Sequence, residues 1–276
     1  MGKKIAQICI EGVIEKENEK YNQKWLLETI SKLKDDKNTT GIILYINSPG
    51  GSVYESDEVY NAVKKYKEET GKPVYAYFAA LAASGGYYIG CSADRIIANR
   101  NTITGSIGVI AGRFINLTDL MAKHGIKSET IHAGKNKTMG SFDEPVTKEQ
   151  RDIMQSVADE CYEQFVSLVA ENRNLDLETV KTLADGRIYT AKQAKENGLI
   201  DEIATFDDAV SMFKEKELGN KDFKAEVKKY ESKKKRGLMK MIKGASSAID
   251  GTAVLTKILQ KKQIPFPSYY YDDGNI

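Results

Sequence analysis

The chain is poor in several residue types that mark specialised protein classes. Its 276 residues include three cysteines, five prolines, two histidines and one tryptophan. Cys9, Cys91 and Cys161 lie far apart, which fits neither a disulfide framework nor the ligand spacing of a metal site. We therefore expect them to be small buried apolar side chains.

Long hydrophobic runs and a strong overall charge are also missing. No stretch reaches the roughly 18 uninterrupted apolar residues that a membrane-spanning helix needs. We therefore expect a membrane-associated or cytoplasmic protein with no transmembrane anchor in this chain. The formal net charge is only +2, so the chain has no electrostatic basis for binding nucleic acid. Residues 228–243 are the exception, with eight Lys or Arg against one Glu. This run is either a solvated segment or a peripheral contact with anionic membrane.

What the chain does have is an alternation of strand and helix patterns. Short runs rich in Ile, Val and Tyr predict strands at 5–10, 41–46, 74–79 and 95–98. Helical patterns lie between them, and one of these is predicted to span residues 82–91. Further helices are predicted at 147–173, which opens on a capping box, and at 176–183, 191–197 and 207–216. Strands that alternate with helices indicate an α/β fold around a mainly parallel sheet.

Two glycine-rich turns follow predicted strands, and ligands bind at that edge of a parallel sheet. Residues 47–52 read Asn-Ser-Pro-Gly-Gly-Ser, whose paired glycines would let backbone N–H groups face a ligand, as in an oxyanion hole. Residues 82–88 read Ala-Ala-Ser-Gly-Gly-Tyr-Tyr and place Ser84 at the start of a helix. Taken singly, the first stretch also fits a plain tight turn, and Ser84 also fits a helix cap.

A nucleophilic serine needs a base, and the chain has little histidine to offer. His124 and His132 lie outside any glycine-bounded turn and fit surface positions. A lysine could serve if burial lowered its pKa from about 10.4 to about 7, which costs about 4.6 kcal/mol. Residues 133–141 contain two lysines between glycines, and spacing does not choose between Lys135 and Lys137. Residues 102–109 supply hydroxyl groups that could orient such a lysine.

Five motifs in a fixed order give the chain a family resemblance. They are Asn-Ser-Pro-Gly-Gly at 47–51, Ala-Ala-Ser-Gly-Gly-Tyr-Tyr at 82–88, Thr-Gly-Ser-Ile-Gly-Val at 104–109, Gly134 three residues before Lys137, and Asp-Gly-Arg-Ile-Tyr at 185–189. Over about residues 5–215 the chain resembles the signal peptide peptidase A family of Ser/Lys-dyad serine peptidases. This resemblance implies a ClpP/crotonase-like parallel sheet with repeated ββα-type units, outer helices and a C-terminal helical arm.

The resemblance also implies a role for individual residues. Ser84 would be the nucleophile and Lys137 the general base, while Lys135 falls on no motif position. Ser106 would orient the lysine, and the Gly51 N–H would help form the oxyanion hole. Extended peptides would add as a strand beside Ser52, Ile107 and Gly108. No metal or cofactor is implied.

The implied function is hydrolysis of remnant signal peptides and other apolar or misfolded peptides. The implied assembly is a homo-oligomeric ring or dome whose active sites are completed by neighbouring subunits. We expect a peptidase domain at residues 1–215 and a basic and apolar extension at 216–276. The end of the extension is apolar, and we hypothesise that it enters the active-site groove as an inhibitor or a self-processed substrate.

The chain also departs from the family pattern, and other functions compete. The loop at 138–145 lacks the basic residue common in the family, so its contacts cannot be carried over. A crotonase-like acyl-CoA enzyme would share the fold, but it would have no use for Ser84 and Lys137. A non-catalytic assembly scaffold is a third possibility, which the intact dyad motifs disfavour. A histidine-dependent Clp-like protease is disfavoured because no histidine lies between Ser84 and His124.

Overall fold

The computed structural model describes residues 2–232 and 268–270. The strands are β1 (Lys3–Glu11), β2 (Thr39–Ser48), β3 (Gly50–Ser52), β4 (Val74–Ala83), β5 (Arg95–Ala98), β6 (Ile103–Gly105), β7 (Ile188–Thr190), β8 (Glu202–Ile203), β9 (Ala225–Tyr230) and β10 (Ser268–Tyr270). The helices are α1 (Gln23–Lys34), α2 (Val53–Thr70), α3 (Gly85–Gly90), α4 (Thr118–Lys123), α5 (Lys148–Arg173), α6 (Leu177–Leu183), α7 (Ala191–Glu196) and α8 (Phe206–Leu218).

An eight-stranded sheet forms the centre of the molecule. Its main path runs β7-β6-β4-β2-β1-β9, and β5 and β8 extend it from the first half of β4. Every pairing in this sheet is parallel except that of β6 with β7. The predicted mainly parallel α/β sheet is therefore confirmed.

Helices cover both faces of the sheet, so its central strands are buried on both sides, as their continuous apolar runs indicate. On one face, Leu26 of α1, Val63 of α2 and Phe165 of α5 join the main core. On the other face, Phe213 of α8 packs edge-on against Tyr75 with ring centroids 5.0 Å apart.

The helix predicted at 82–91 begins later than expected. Residues 82 and 83 continue β4, where Ala82 pairs with Thr104 of β6, and the helix starts only at Gly85. Alanine fits a strand or a helix, so the tertiary pairing decides the boundary. The capping box predicted at the start of α5 is present, with Thr147 and Gln150 bonded reciprocally.

The region after residue 215 contributes to the main sheet. Strand β9 pairs in parallel with β1, so Lys228 and Lys229 of the basic run lie in a strand. The rest of that run, 233–243, and the tail segment 264–267 lie outside the described residues. Within the described part of the chain, no helix is both long and apolar enough to cross a membrane.

One largely buried ion pair ties α5 to the edge of the sheet. The Arg173 guanidinium, only 8% exposed, donates two hydrogen bonds to the Asp201 carboxylate, at 2.8 and 3.1 Å. The Ile96 N–H donates to the same carboxylate at 2.6 Å. Burial alone would raise the pKa of Asp201, but these hydrogen bonds outweigh burial and hold that pKa below its ordinary value.

We predict that Arg173→Met lowers the free energy of unfolding by about 2–3 kcal/mol, because it leaves the Asp201 charge without its partner. The loss is smaller than for a fully buried pair since Asp201 keeps some contact with water. Urea unfolding measures it. The matched control is Lys192→Met, which removes an exposed pair with Glu196 and should change stability by less than about 0.5 kcal/mol. Equal effects in both variants would contradict the prediction.

Candidate active site

The two glycine-rich turns meet at one edge of the sheet. Strands β2 and β4 are parallel neighbours, and Ser48 pairs with Ala82 near their carboxyl ends. The chain then enters β3 on one side and α3 on the other. A Cβ atom on Gly86 would lie 3.0 Å from the Ser48 carbonyl oxygen, so the start of α3 packs closely on the turn that leads to Gly51.

Ser84 sits in the sharp turn between β4 and α3. Its backbone has φ 53° and ψ −119°, a conformation that costs a non-glycine residue about 1–3 kcal/mol. The Ser84 N–H donates to the Gly105 carbonyl at 2.8 Å, and the Ser84 carbonyl accepts from Tyr88 N–H at 2.9 Å. The side chain makes no capping bond, so the alternative role as a helix cap is wrong.

The Ser84 hydroxyl is buried and has no partner among residues 2–232 and 268–270. The residue is 1% exposed, and its Oγ has no hydrogen bond within the described part of the chain. A buried polar group without a partner costs free energy, and at a functional site it is available to a reactant. Backbone strain and an unpaired hydroxyl on one serine are typical of a nucleophile at a strand-to-helix turn.

Ser106 lies beside Ser84 at the end of β6 and is also strained. It has φ 50°, and its N–H donates to the Arg187 carbonyl at 2.7 Å. At Gly105, which has φ 82°, a Cβ atom would lie 2.5 Å from the Tyr189 ring. The antiparallel pairing of β6 with β7 therefore sets the position of Ser106, and residues 187–189 act here through their backbone and packing.

Gly51 lies in β3 against the backbone of Ile14. The Ile14 N–H donates to the Gly50 carbonyl, and the Ser52 N–H donates to the Ile14 carbonyl, both at 2.8 Å. A Cβ atom on Gly51 would lie 1.9 Å from the Ile14 oxygen, so only glycine fits. Because successive residues of a strand point their N–H groups to opposite edges, the Gly51 N–H faces away from Ile14.

A segment from the end of the chain lies along that outer edge of β3. Strand β10 pairs with β3 in antiparallel register, with Tyr269 opposite Gly51 and Ser268 opposite Ser52. The candidate oxyanion donor therefore faces the backbone of an extended peptide segment.

The three candidate substrate-binding residues, Ser52, Ile107 and Gly108, already make some contacts inside the chain. The Ser52 N–H is bonded to Ile14, and the Ser52 side chain caps α2. The Ile107 carbonyl accepts from Gly186 N–H at 3.1 Å. A Cβ atom on Gly108 would lie 3.4 Å from the Cα atom of Gly186, so this segment packs against the 185–187 turn.

Within the described part of the chain, Lys137 makes no hydrogen bond to the Ser84 hydroxyl. It lies exposed on the long arm between β6 and α5, in a turn where its N–H donates to the Gly134 carbonyl at 3.0 Å. Lys135 is exposed too, and its ammonium is paired with the Glu149 carboxylate. His124 and His132 are exposed on the same arm.

Two parts of the site escape sequence reasoning. Ile14 looks like an ordinary apolar residue, but its backbone holds β3 in place. Ser48 belongs to a motif that sequence analysis singled out, yet its hydroxyl bonds to two backbone groups that no pattern reveals. Only the glycine pair at 50–51 signals a close backbone approach in advance.

Comparison with known proteins identifies relatives of this chain. Residues 66–219 match Peptidase family S49, and residues 4–111 match Clp protease. An Enterococcus faecium protein named as a signal peptide peptidase SppA is 41% identical over 224 residues, which are 78% of this chain and 64% of that protein. A Synechocystis protein named as a protease is 42% identical over 207 residues, or 75% of this chain and 72% of its own length. The chain therefore spans less than two thirds of the Enterococcus relative.

A solved structure supports the fold. A mutant of ClpP1 from Listeria monocytogenes superposes with a TM-score of 0.50 over 73% of this chain and 92% of that one, at 19% identity. This likeness concerns the fold alone, and it confirms the expected ClpP/crotonase-like architecture.

Proposed function

The chain belongs to peptidase family S49, and we propose that it is a serine endopeptidase with Ser84 as nucleophile and Lys137 as general base. The observation that carries this proposal is the Ser84 hydroxyl, which is buried, unpaired within the described residues and held on a strained turn. The Gly51 N–H on the adjoining turn is the proposed oxyanion donor. With the Ser84 nucleophile it makes up the pair of groups that acyl transfer needs first.

The proposed reaction follows the usual two steps of covalent peptide hydrolysis. Lys137, in its neutral form, takes the proton from Ser84 Oγ as that oxygen attacks the peptide carbonyl carbon. The negative charge develops on the carbonyl oxygen, where the Gly51 N–H stabilises it. The lysine then gives its proton to the leaving amine, and water hydrolyses the acyl-enzyme. Ser106 is proposed to orient the lysine through its hydroxyl.

A lysine can act as a base only where water is excluded, and Lys137 is exposed in the single chain. We propose that a second copy of the chain covers the arm and brings a lysine to each Ser84. The choice of Lys137 over Lys135 is favoured because the Lys135 ammonium already has a carboxylate partner.

The arm has the surface that such an assembly needs. Six large apolar side chains between β6 and α5 are more than a third exposed, and Ile131 is 95% exposed. They are Phe114, Ile115, Leu120, Ile126, Ile131 and Phe142. Several large exposed apolar side chains on one arm favour burial against another protein surface, which supports a ring or dome of identical subunits.

We further propose that the substrates are extended apolar peptides, including remnant signal peptides. The outer edge of β3 supports this proposal, since a peptide segment, β10, adds there as a strand. The extension at 216–276 is proposed to supply this segment as an inhibitor or processed substrate. The basic run at 228–243 is proposed to give peripheral contact with anionic membrane near such substrates.

We predict that Ser84→Ala and Lys137→Ala each lower peptidase activity by about 10³-fold or more, because each removes a group that acts in the reaction itself. Fluorogenic apolar peptides measure the rate. Lys135→Ala is the matched control from the same turn, and its rate should stay within about twofold of the wild type. Loss of activity in Lys135→Ala with activity kept in Lys137→Ala would show that the base is misassigned.

If the site is shared between subunits, two inactive variants should restore each other. Mixed under conditions that allow subunit exchange, Ser84→Ala and Lys137→Ala chains should regain part of the wild-type rate, since some interfaces join an intact serine to an intact lysine. Each variant alone, treated in the same way, is the control. No recovery despite subunit exchange shown by mass spectrometry would place both residues of a site in one chain.

The tail gives another prediction. A chain that ends at Gln263 should hydrolyse peptides faster, since no segment competes for the edge of β3. If the tail is also processed, intact mass should reveal cleavage after Tyr269, because this residue lies opposite Gly51 in the pairing. The same measurement on Ser84→Ala, which should keep its full mass, is the control. Unchanged rate and unchanged mass would reject a role for the tail.

A further inference from the structure

We propose that Ser48 is a positioning residue that fixes the oxyanion-hole peptide through its buried hydroxyl. The inference rests on the proposed function, in which the Gly51 N–H stabilises the transition state. Ser48 is fully buried and touches no reactant, so it would act only through the backbone at Gly50 and Gly51.

The hydroxyl of Ser48 links two backbone segments. It donates to the Gly12 carbonyl at 2.6 Å and accepts from the Gly50 N–H at 3.0 Å. The Gly50 carbonyl accepts in turn from Ile14. Both polar groups of Gly50 are therefore held by neighbours inside the molecule, and the next N–H in the strand, that of Gly51, has to point outward.

This fixation matters because Gly50 is flexible by nature. It has φ 95°, a conformation open to glycine, and a glycine peptide can rotate with little steric resistance. Without the Ser48 bond, the Gly50 N–H would lose its partner in the buried turn, and the bond from Ile14 to the Gly50 carbonyl would be left to orient the peptide that carries the Gly51 N–H. A misaligned N–H stabilises the oxyanion less, while the ground-state peptide still pairs along β3.

Other buried serines in the chain show what a merely structural role looks like. The Ser92 hydroxyl donates to the Ile89 carbonyl at 2.6 Å, and the Ser56 hydroxyl donates to the Ser52 carbonyl at 2.7 Å. Each bonds to a carbonyl three or four residues earlier in its own segment. Ser48 instead connects the segment after β1 to the turn between β2 and β3. This arrangement is expected of a residue that positions the backbone of a site.

The test compares Ser48→Ala, Ser48→Cys and the matched control Ser92→Ala. All three should fold, as thermal unfolding will check, and both alanine variants lose one buried hydroxyl. We expect Ser48→Ala to lower kcat by about 10- to 100-fold with KM within about threefold, and Ser92→Ala to change neither. Ser48→Cys, which keeps a weak donor and acceptor, should fall between Ser48→Ala and the wild type.

A pair of inhibitors separates the oxyanion hole from peptide binding. The Ser84 hydroxyl can add across the carbonyl of an acetyl-Ala-Leu-Phe aldehyde to give a hemiacetal whose oxygen occupies the oxyanion position. The matching alcohol can only bind without a covalent bond. Ser48→Ala should weaken inhibition by the aldehyde by about tenfold or more and leave inhibition by the alcohol unchanged.

The outcomes distinguish this inference from the proposed function. An unchanged kcat in Ser48→Ala, or equal weakening of aldehyde and alcohol, would overturn the positioning role while Ser84-dependent hydrolysis still stands. If Ser48→Ala unfolds, Ser48→Cys carries the test, and a wild-type kcat in that variant together with wild-type aldehyde inhibition would also overturn it. A wild-type protein without Ser84-dependent hydrolysis would instead overturn the proposed function.

Discussion

The candidate site depends on one short backbone pairing, between Ile14 and the two ends of β3. The two hydrogen bonds of this pairing use the inner edge of the strand, at Gly50 and Ser52. Strand geometry then leaves Gly51 with its N–H on the outer edge, and the contact with Ile14 leaves no room for a side chain there. The segment around Ile14 carries no reactive group, yet it determines the position of the candidate oxyanion donor, the Gly51 N–H.

Backbone strain is concentrated at the same edge of the sheet. Among the described non-glycine residues only Ser84, Ser106 and Asn174 have positive φ, and two of these three are at the candidate site. The two serines are held by linked backbone bonds. The Ser84 N–H donates to the carbonyl of Gly105, the residue before Ser106, and the Ser106 N–H donates to the Arg187 carbonyl. The buried sheet holds such costly conformations in place, and the turn at 185–187 contributes to the site without taking part in the chemistry.

The sequence predicts those parts of the fold and site that rest on side-chain pattern. The central strands appear as apolar runs because both faces of the sheet are covered. The capping-box residues Thr147 and Gln150 predict the start of α5. The three-residue strands β6 and β7 have no detectable period. The start of α3 is missed because Ala82 and Ala83 suit either structure, and the role of Ile14 is carried by its backbone.

Under the proposed mechanism, the placement of Ser84 and Lys137 on different parts of the chain would give the fold a means of controlling a potentially destructive reaction. Ser84, the proposed nucleophile, is strained and buried within one chain, whereas the proposed base lies on an arm that exposes its apolar side chains. In that mechanism, a chain by itself would hold a serine without a base beside it. The pairing of β10 with β3 involves a different group, the candidate oxyanion donor of Gly51. Under the proposed mechanism, hydrolysis therefore requires both that the arm be covered and that the edge of β3 be free, and each requirement limits unwanted cleavage independently of the other.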